Sequence, residues 1–484
     1  MDFVTYEQFG AKADGRTDDF AAIIAAHDYA NKHGLPVRAT PDAHYYIGGA
    51  AATAVIRTDT DWRTARFTID DRHTENNKLP VFRVESSLAP LELKLPPLAR
   101  GQKNAGIAPG VDCYVVVSSE EARRYIRWGG NQNNGGWQTD NFELKADGTI
   151  AHELVWDFHR IDYVRALPID PEPLTVRGGY FTTIANEEPS TYNYYERNIR
   201  VSRSNTRVVN LHHFIENEGE HGAPYDGFLN IGDCARVTVE SCFFTGHKTF
   251  WTIGAAGTPV PMGTYDIIFA SATDITLKNC AQDDILDGSL WGVIGSNFSK
   301  NIVLDGCVLS RMDAHQGVYN CTLRDSTIGY CGFTAIGNGA LTVENCEMYG
   351  FNLINFRADY GSHWDGEVTI RNVVWHPFGG REVPAAAVFG ACNHEDHDFG
   401  YPCTMPRRMT LENVTVDDAK VEAPVWFWNN YNAKVTPENP GYRGPFPYES
   451  CGEMILKNVR TTSGREITMC DNPLLRPAKK VTRL

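Results

Sequence analysis

Asp283, Asp284, Asp287, Arg311, Asp313 and His315 are residue types that move protons, and they fall close together along the chain. Crowded carboxyls supply a general acid and a base or nucleophile, because their repulsion raises one pKa and keeps that group protonated. Arginine beside histidine supplies a different set: a cation for a substrate carboxylate and a base for a neighbouring proton. His247, Lys248, Tyr330, Arg357, Asp359 and Asp226 add groups able to hold hydroxyls or a carboxylate. Glu218, Glu220 and His221 precede them, and the run Trp426-Phe427-Trp428 offers rings for stacking. Three nearby aspartates would also accept Ca²⁺ through oxygen if the cation-assisted chemistry holds; otherwise no cofactor is expected.

What must position these groups is a recurring strand-like phrase. It reads Val237-Thr238-Val239-Glu240-Ser241-Cys242, then Ile275-Thr276-Leu277-Lys278-Asn279-Cys280, then Ile302-Val303-Leu304-Asp305-Gly306-Cys307. Later copies end at Ser326, Cys346, Val373, Val414 and Val459. Apolar/polar alternation marks a half-buried strand, and self-similarity at this period marks a repeat architecture. The steps from Cys307 to Ser326 and on to Cys346 are too short for a strand-helix-strand unit, which needs roughly 30 residues. They fit one coil of a parallel β-solenoid, in which equal offsets stack at about 4.8 Å. Counted from the register residue, the candidate acids, arginine and histidine fall on neighbouring coils.

Bulk properties narrow the partners. The chain has 484 residues, 42% hydrophobic, with a formal charge of −15. That balance argues against nucleic acid and anionic membranes, and no apolar run is long enough to span a bilayer. Twelve cysteines include Cys242, Cys280, Cys307 and Cys346 at one repeat position, where Ser326, Val373 and Val414 also occur. This exchange specifies a small buried side chain, not a disulfide partner or metal ligand. The start Met1-Asp2-Phe3-Val4 carries no leader-like segment, giving a cytoplasmic expectation as written, or a secreted or periplasmic one if a leader was removed.

Residues 1–50 read as a strand and a capping helix. Its N-cap is expected at Thr17, its apolar stripe at Ala21, Ile24, Ala25 and Tyr29, and its end at His33-Gly34. Residues 51–170 read as a β-rich insertion or as irregular first coils, and 171–484 as regular coils. Long loops at 376–407 and 427–450 would wall a groove on one face. His394-Glu395-Asp396-His397-Asp398 reads as part of such a loop, not as a metal string.

The run Phe9-Gly10-Ala11-Lys12-Ala13-Asp14-Gly15-Arg16-Thr17-Asp18-Asp19, with Val37, Pro41 and Tyr45 behind it, resembles the opening of pectate-lyase-like proteins. The resemblance implies an all-β, single-stranded right-handed parallel β-helix. Its members include glycoside hydrolases, polysaccharide lyases, uronate epimerases and phage tail spikes. Gln282-Asp283-Asp284 and Thr245-Gly246-His247 are similar to the paired aspartates and Gly-His of polygalacturonase-type glycosidases, in reversed order. Asp313-Ala314-His315 resembles the Asp-x-His of alginate epimerase and lyase relatives. The first expectation is therefore a glycoside hydrolase using Asp283, Asp284, Asp287, Asp313 and His315, with His247, Lys248, Arg311, Tyr330, Arg357, Asp359, Asp226 and Trp428 binding a carbohydrate. The second is a uronate lyase or epimerase using His315 with Arg311, and the third a non-catalytic glycan-binding or tail-spike protein, with a homo-oligomer as an option.

Overall fold

A computed structural model describes residues 2–129, 133–189, 193–218, 222–253 and 259–484, with the side chains of 248–253 and 259–262 left aside. One parallel sheet of 29 strands winds through it. Its registers join the repeat phrases residue for residue: Val237 to Ile275, Ile275 to Ile302, Ile302 to Cys321, and Cys321 to Leu341. Leu341 continues to Val368, Val368 to Met409, and Met409 to Met454. The apolar members of each phrase face a single continuous interior, which is why the phrase repeats.

The polar pair closing each phrase has a backbone reason. Asn279, Asp325, Asn345, Asn372, Asn413 and Asn458 all have φ between 50° and 54°, the left-handed region that asparagine and aspartate tolerate best. Their amides then stack: Asn372 donates to Asn345, Asn413 to Asn372 and Asn458 to Asn413, each at 2.9 Å. Beside this ladder, Cys242, Cys280, Cys307 and Cys346 are buried free thiols. Asn372→Ala is expected to cost about 1–2 kcal/mol, and Asn372→Gly less, because glycine keeps the left-handed corner and loses only the ladder. Urea midpoints of the two variants separate the backbone and ladder contributions.

The helix Phe20–His33 lies across the first coils and ends at Gly34, φ 65°. Its buried stripe is Phe20, Ile23, Ala26, His27 and Ala30, one step round from the expected Ala21, Ile24, Ala25 and Tyr29. Phe20 and Ile23 take the interior while Tyr29 stacks on His33 at the surface, and His27 follows because its Nε2 meets the buried Tyr6 hydroxyl at 3.1 Å. Thr17 is not the cap: the N-cap position is Asp19, whose carboxylate instead accepts the amides of Lys12 and Ala13.

Residues 51–170 hold both structures expected as alternatives. Ala54–Ile56, Thr60–Asp70 and Phe82–Val84 are strands of the long sheet. Cys113–Arg124, Gly136–Leu144 and Tyr163–Pro168 form a separate antiparallel sheet with its own apolar core. It is fastened to the coils by buried polar contacts. Asn141 Nδ2 donates to the Phe298 carbonyl at 2.8 Å, and Lys300 Nζ lies 2.7 Å from Asp140 with both side chains fully buried. Within 376–407 the wholly buried run Ala386–Gly390 is a strand, since an all-apolar stretch between two rungs completes the sheet. Among the described residues no helix is long and apolar enough to cross a membrane.

Candidate active site

One sheet face carries the outward file Arg200, Asn230, Ile268, Ile294, Asp313, Thr334 and Asn355, each paired in register with the next. Along this file runs a groove of ≈ 830 Å³. Arg311, Asp313, His315, Tyr330, Arg357 and Asp226 all line it, so six of the expected residues converge.

Charges alternate at its centre. Arg311 Nη2 donates to Asp313 at 2.7 Å, and Arg357 Nη1 grips both Asp313 oxygens at 2.9 and 2.8 Å. The other edge of Arg357 holds Asp359 at 3.0 and 2.8 Å, and Arg127 Nη2 closes on Asp359 at 2.8 Å. Three guanidiniums against two carboxylates leave one surplus positive charge in a chain that is acidic overall. Burial opposes ionisation of Asp313, but Arg311 and Arg357 outweigh it and hold its carboxyl well below the usual range. Arg311 is engaged by Asp313 and also lies in hydrogen-bonding contact with the Tyr265 hydroxyl, which leaves the rest of its five donors for the groove.

His315 borders the same network. Burial, reinforced by the Arg357 charge, lowers its pKa to about 3, so the imidazole is neutral at ordinary pH. Neither ring nitrogen has a hydrogen-bond partner among the described residues; the ring meets Tyr360 edge-on, centroids 5.4 Å apart. Tyr265 stacks on Trp291 at 4.1 Å and 13°, and both line the groove. Burial raises the Tyr265 phenol to about 12, which keeps its proton in place. Further along, burial and then the Glu196 charge raise Asp226 to about 6, against the pull of Arg200 and Lys78.

The remaining expected residues lie elsewhere. Asp283, Asp284 and Asp287 are exposed on the turn between Gln282 and Val293, of which Gly288 and Trp291, but none of the three acids, reach the lining. Asp287 folds back to accept from its own Ser289 amide and hydroxyl at 2.9 and 2.7 Å. These acids therefore do not face Asp313, and paired-aspartate chemistry between them has no geometric support. His247 is tied to Glu218, Nδ1 to Oε2 at 3.2 Å. The Lys248 side chain, Glu220 and His221 lie outside the described residues. Trp428 is fully buried against Phe389 and Phe356, so stacking falls to its half-buried neighbour Trp426. Asp359 stands behind Arg357 as its second clamp.

Arg127, Arg200, Asp233, Tyr265 and Trp291 line the groove without having been expected. Tyr265 and Trp291 sit just before strands of this face and Arg200 and Asp233 lie within them, all upstream of a register residue, where offsets counted forward never look. Arg127 arrives from the inserted sheet, which no repeat offset reaches. Among the described residues Glu143, His152 and Asp274 lie together as potential metal ligands, and the Glu143 carboxylate is already engaged by Arg236 and Lys145.

No protein-family model matches this sequence, and no curated protein matches it either. Solved structures do. The tailspike protein gp49 of Pseudomonas phage LKA1 superimposes with a TM-score of 0.58 at 13% identity, over 99% of this chain and 84% of that one. The tailspike gp61 of Pseudomonas phage phi297 gives 0.50 at 13% identity, over 95% and 80%. The fold is a right-handed parallel β-helix. At such identities the likeness extends to the β-helix itself, and the groove's chemistry has to be read from its own residues.

Proposed function

We propose that the groove binds a glycan bearing a carboxylated sugar and cleaves it by β-elimination. The observation that supports this is the pairing, in one hollow, of a guanidinium with spare donors and a neutral, unpartnered imidazole. Arg311 takes the substrate carboxylate, with Arg127 and Arg357 adding positive field, so charge developing on it as the α-proton leaves is neutralised. His315 accepts that proton. The C–H electron pair becomes the new ring double bond, the bond to the glycosidic oxygen breaks, and the Tyr265 phenol returns a proton to that oxygen.

The test is digestion of a glycan panel, following the ultraviolet absorbance of the unsaturated sugar acid. Arg311→Ala is expected to raise KM for an acidic substrate about 10- to 100-fold, the worth of charge-assisted hydrogen bonds. The same variant should leave binding of a neutral glycan unchanged.

The pH dependence has a defined sign. His315 acts deprotonated, and its free-enzyme pKa of about 3 keeps it so; kcat/KM should not fall across the ordinary histidine range. A bound carboxylate offsets the Arg357 charge and favours imidazolium, so the acid limb of kcat should lie above that of kcat/KM. Coincident limbs near the ordinary histidine value would remove His315 from the role. Guanidiniums supply the charge that Ca²⁺ would bring, so chelation should leave the rate unchanged.

A second reading rests on Asp226, whose pKa of about 6 makes it a proton donor near neutrality. Hydrolysis with Asp226 as acid and Asp233 as its partner would give reducing ends without unsaturation, abolished by Asp226→Asn. Retention of an intact glycan without cleavage would leave a tailspike-like binding role.

A further inference from the structure

The charges along the groove are confined to particular rungs, and their placement bears on the kind of polymer it accepts. Resting on the acidic-glycan reading above, we infer that the substrate is a heteroglycan whose carboxylated sugar is flanked on both sides by uncharged sugars. We further infer that Asp226 and Asp233 exclude homopolyuronates.

On the C-terminal side the groove opens into a second hollow of ≈ 400 Å³, sharing Phe351 and Asn355 with it. No Asp, Glu, Lys or Arg lines that hollow; its floor is Trp426, Gly390 and the amides of Asn352, Asn355 and Asn429. Among the described residues the Asn355 amide makes no hydrogen bond, leaving donor and acceptor for a hydroxyl pair. Amides beside an aromatic ring suit an uncharged sugar, and nothing there would compensate a buried carboxylate.

On the N-terminal side the wall is the Tyr265–Trp291 stack with Ile268 and Ile294. Beyond it the next ionisable groups facing the groove are Asp226 and Asp233 with Arg200 between them, 3.8 Å from Asp233. Asp233 is also paired to Arg165 at 3.0 Å, and the Asp226 carboxylate accepts from the Asn230 amide at 2.9 Å. Four rungs of about 4.8 Å separate the Arg200 position from that of Asp313. A polyuronate threaded along these rungs would set carboxylates against apolar side chains, then against Asp226, whose near partner is the uncharged Asn230, and against Asp233, which already occupies Arg200 and Arg165. A polymer with isolated carboxylates meets the guanidinium cluster once and sets uncharged sugars against the apolar wall and the two acids.

The experiment is affinity electrophoresis of the whole chain at pH 8, where Asp226 is ionised, in gels containing deacylated gellan or polygalacturonate. Gellan is linear, with a single glucuronate per repeat among neutral sugars. Wild type should bind gellan with an apparent Kd about tenfold below that for polygalacturonate. The Asp226→Asn/Asp233→Asn double variant should tighten polygalacturonate about fivefold and leave gellan within about twofold. Trp426→Ala should weaken gellan severalfold. Polygalacturonate bound as tightly as gellan by wild type, and lost in Arg311→Ala, overturns this inference and spares the acidic groove. If neither polymer distinguishes wild type from Arg311→Ala, both fall.

Discussion

Replacing His315 with alanine should lower kcat by about three orders of magnitude while leaving affinity for an acidic glycan within about threefold. The size follows from what the imidazole does. Proton transfer by a positioned base contributes about 10²- to 10⁴-fold, and no other neutral base lies within the Arg311–Asp313–Arg357 cluster among the described residues. Affinity is spared because Arg311, Arg127 and the Tyr265–Trp291 stack remain in place. A kcat loss with unchanged KM locates the residue in the chemical step, whereas a structural role would lower both kcat and thermal stability. His315→Gln is the control for shape: it fills the space without supplying a base.

The second large effect concerns the inserted sheet. Lys300→Met should destabilise the protein by about 3–5 kcal/mol, because it leaves Asp140 charged and buried without its cation. Asp140 also accepts the amides of Asn141 and Val155 at 2.8 and 2.6 Å, so it cannot turn out to solvent without breaking both. Lys300 Nζ additionally donates to the Glu153 carbonyl at 2.7 Å. The paired change Lys300→Met/Asp140→Leu should recover much of the loss, since an apolar pair carries no uncompensated charge. Denaturant unfolding of the three forms checks this. Equal stability of Lys300→Met and wild type would mean that the pair is not buried in solution. Because the sheet also delivers Arg127, the single variant should weaken binding of an acidic glycan as well.

How far the sequence alone reaches is set by the range of each physical signal. The coils were legible because the interior imposes the same alternation on every rung, and because the left-handed corner selects Asn or Asp six times over. The convergence of Arg311, Asp313, His315, Tyr330 and Arg357 followed from stacking alone. Asp283 and Asp284 looked equivalent to Asp313 by offset. They miss the groove because the chain after Gln282 leaves the sheet in a turn before rejoining it at Val293. Trp428 shows the same blindness in reverse: within the strand Val425–Trp428 both Phe427 and Trp428 are buried and only Trp426 stays half-exposed, a break in alternation that the sequence does not announce. Arg127 carries no repeat signal, since its position depends on how an insertion docks. The buried pairing of Lys300 with Asp140 is silent for the same reason: its partners are remote in sequence and belong to different sheets.

The most direct test of the groove's assignment is a crystal structure of His315→Ala with an acidic oligosaccharide bound. The expected result is a sugar carboxylate within hydrogen-bond distance of the Arg311 guanidinium, with the adjacent C–H directed at the space vacated by the imidazole. A saccharide bound with only hydroxyls on Arg311, or with its scissile bond beside Asp226, would contradict the elimination mechanism.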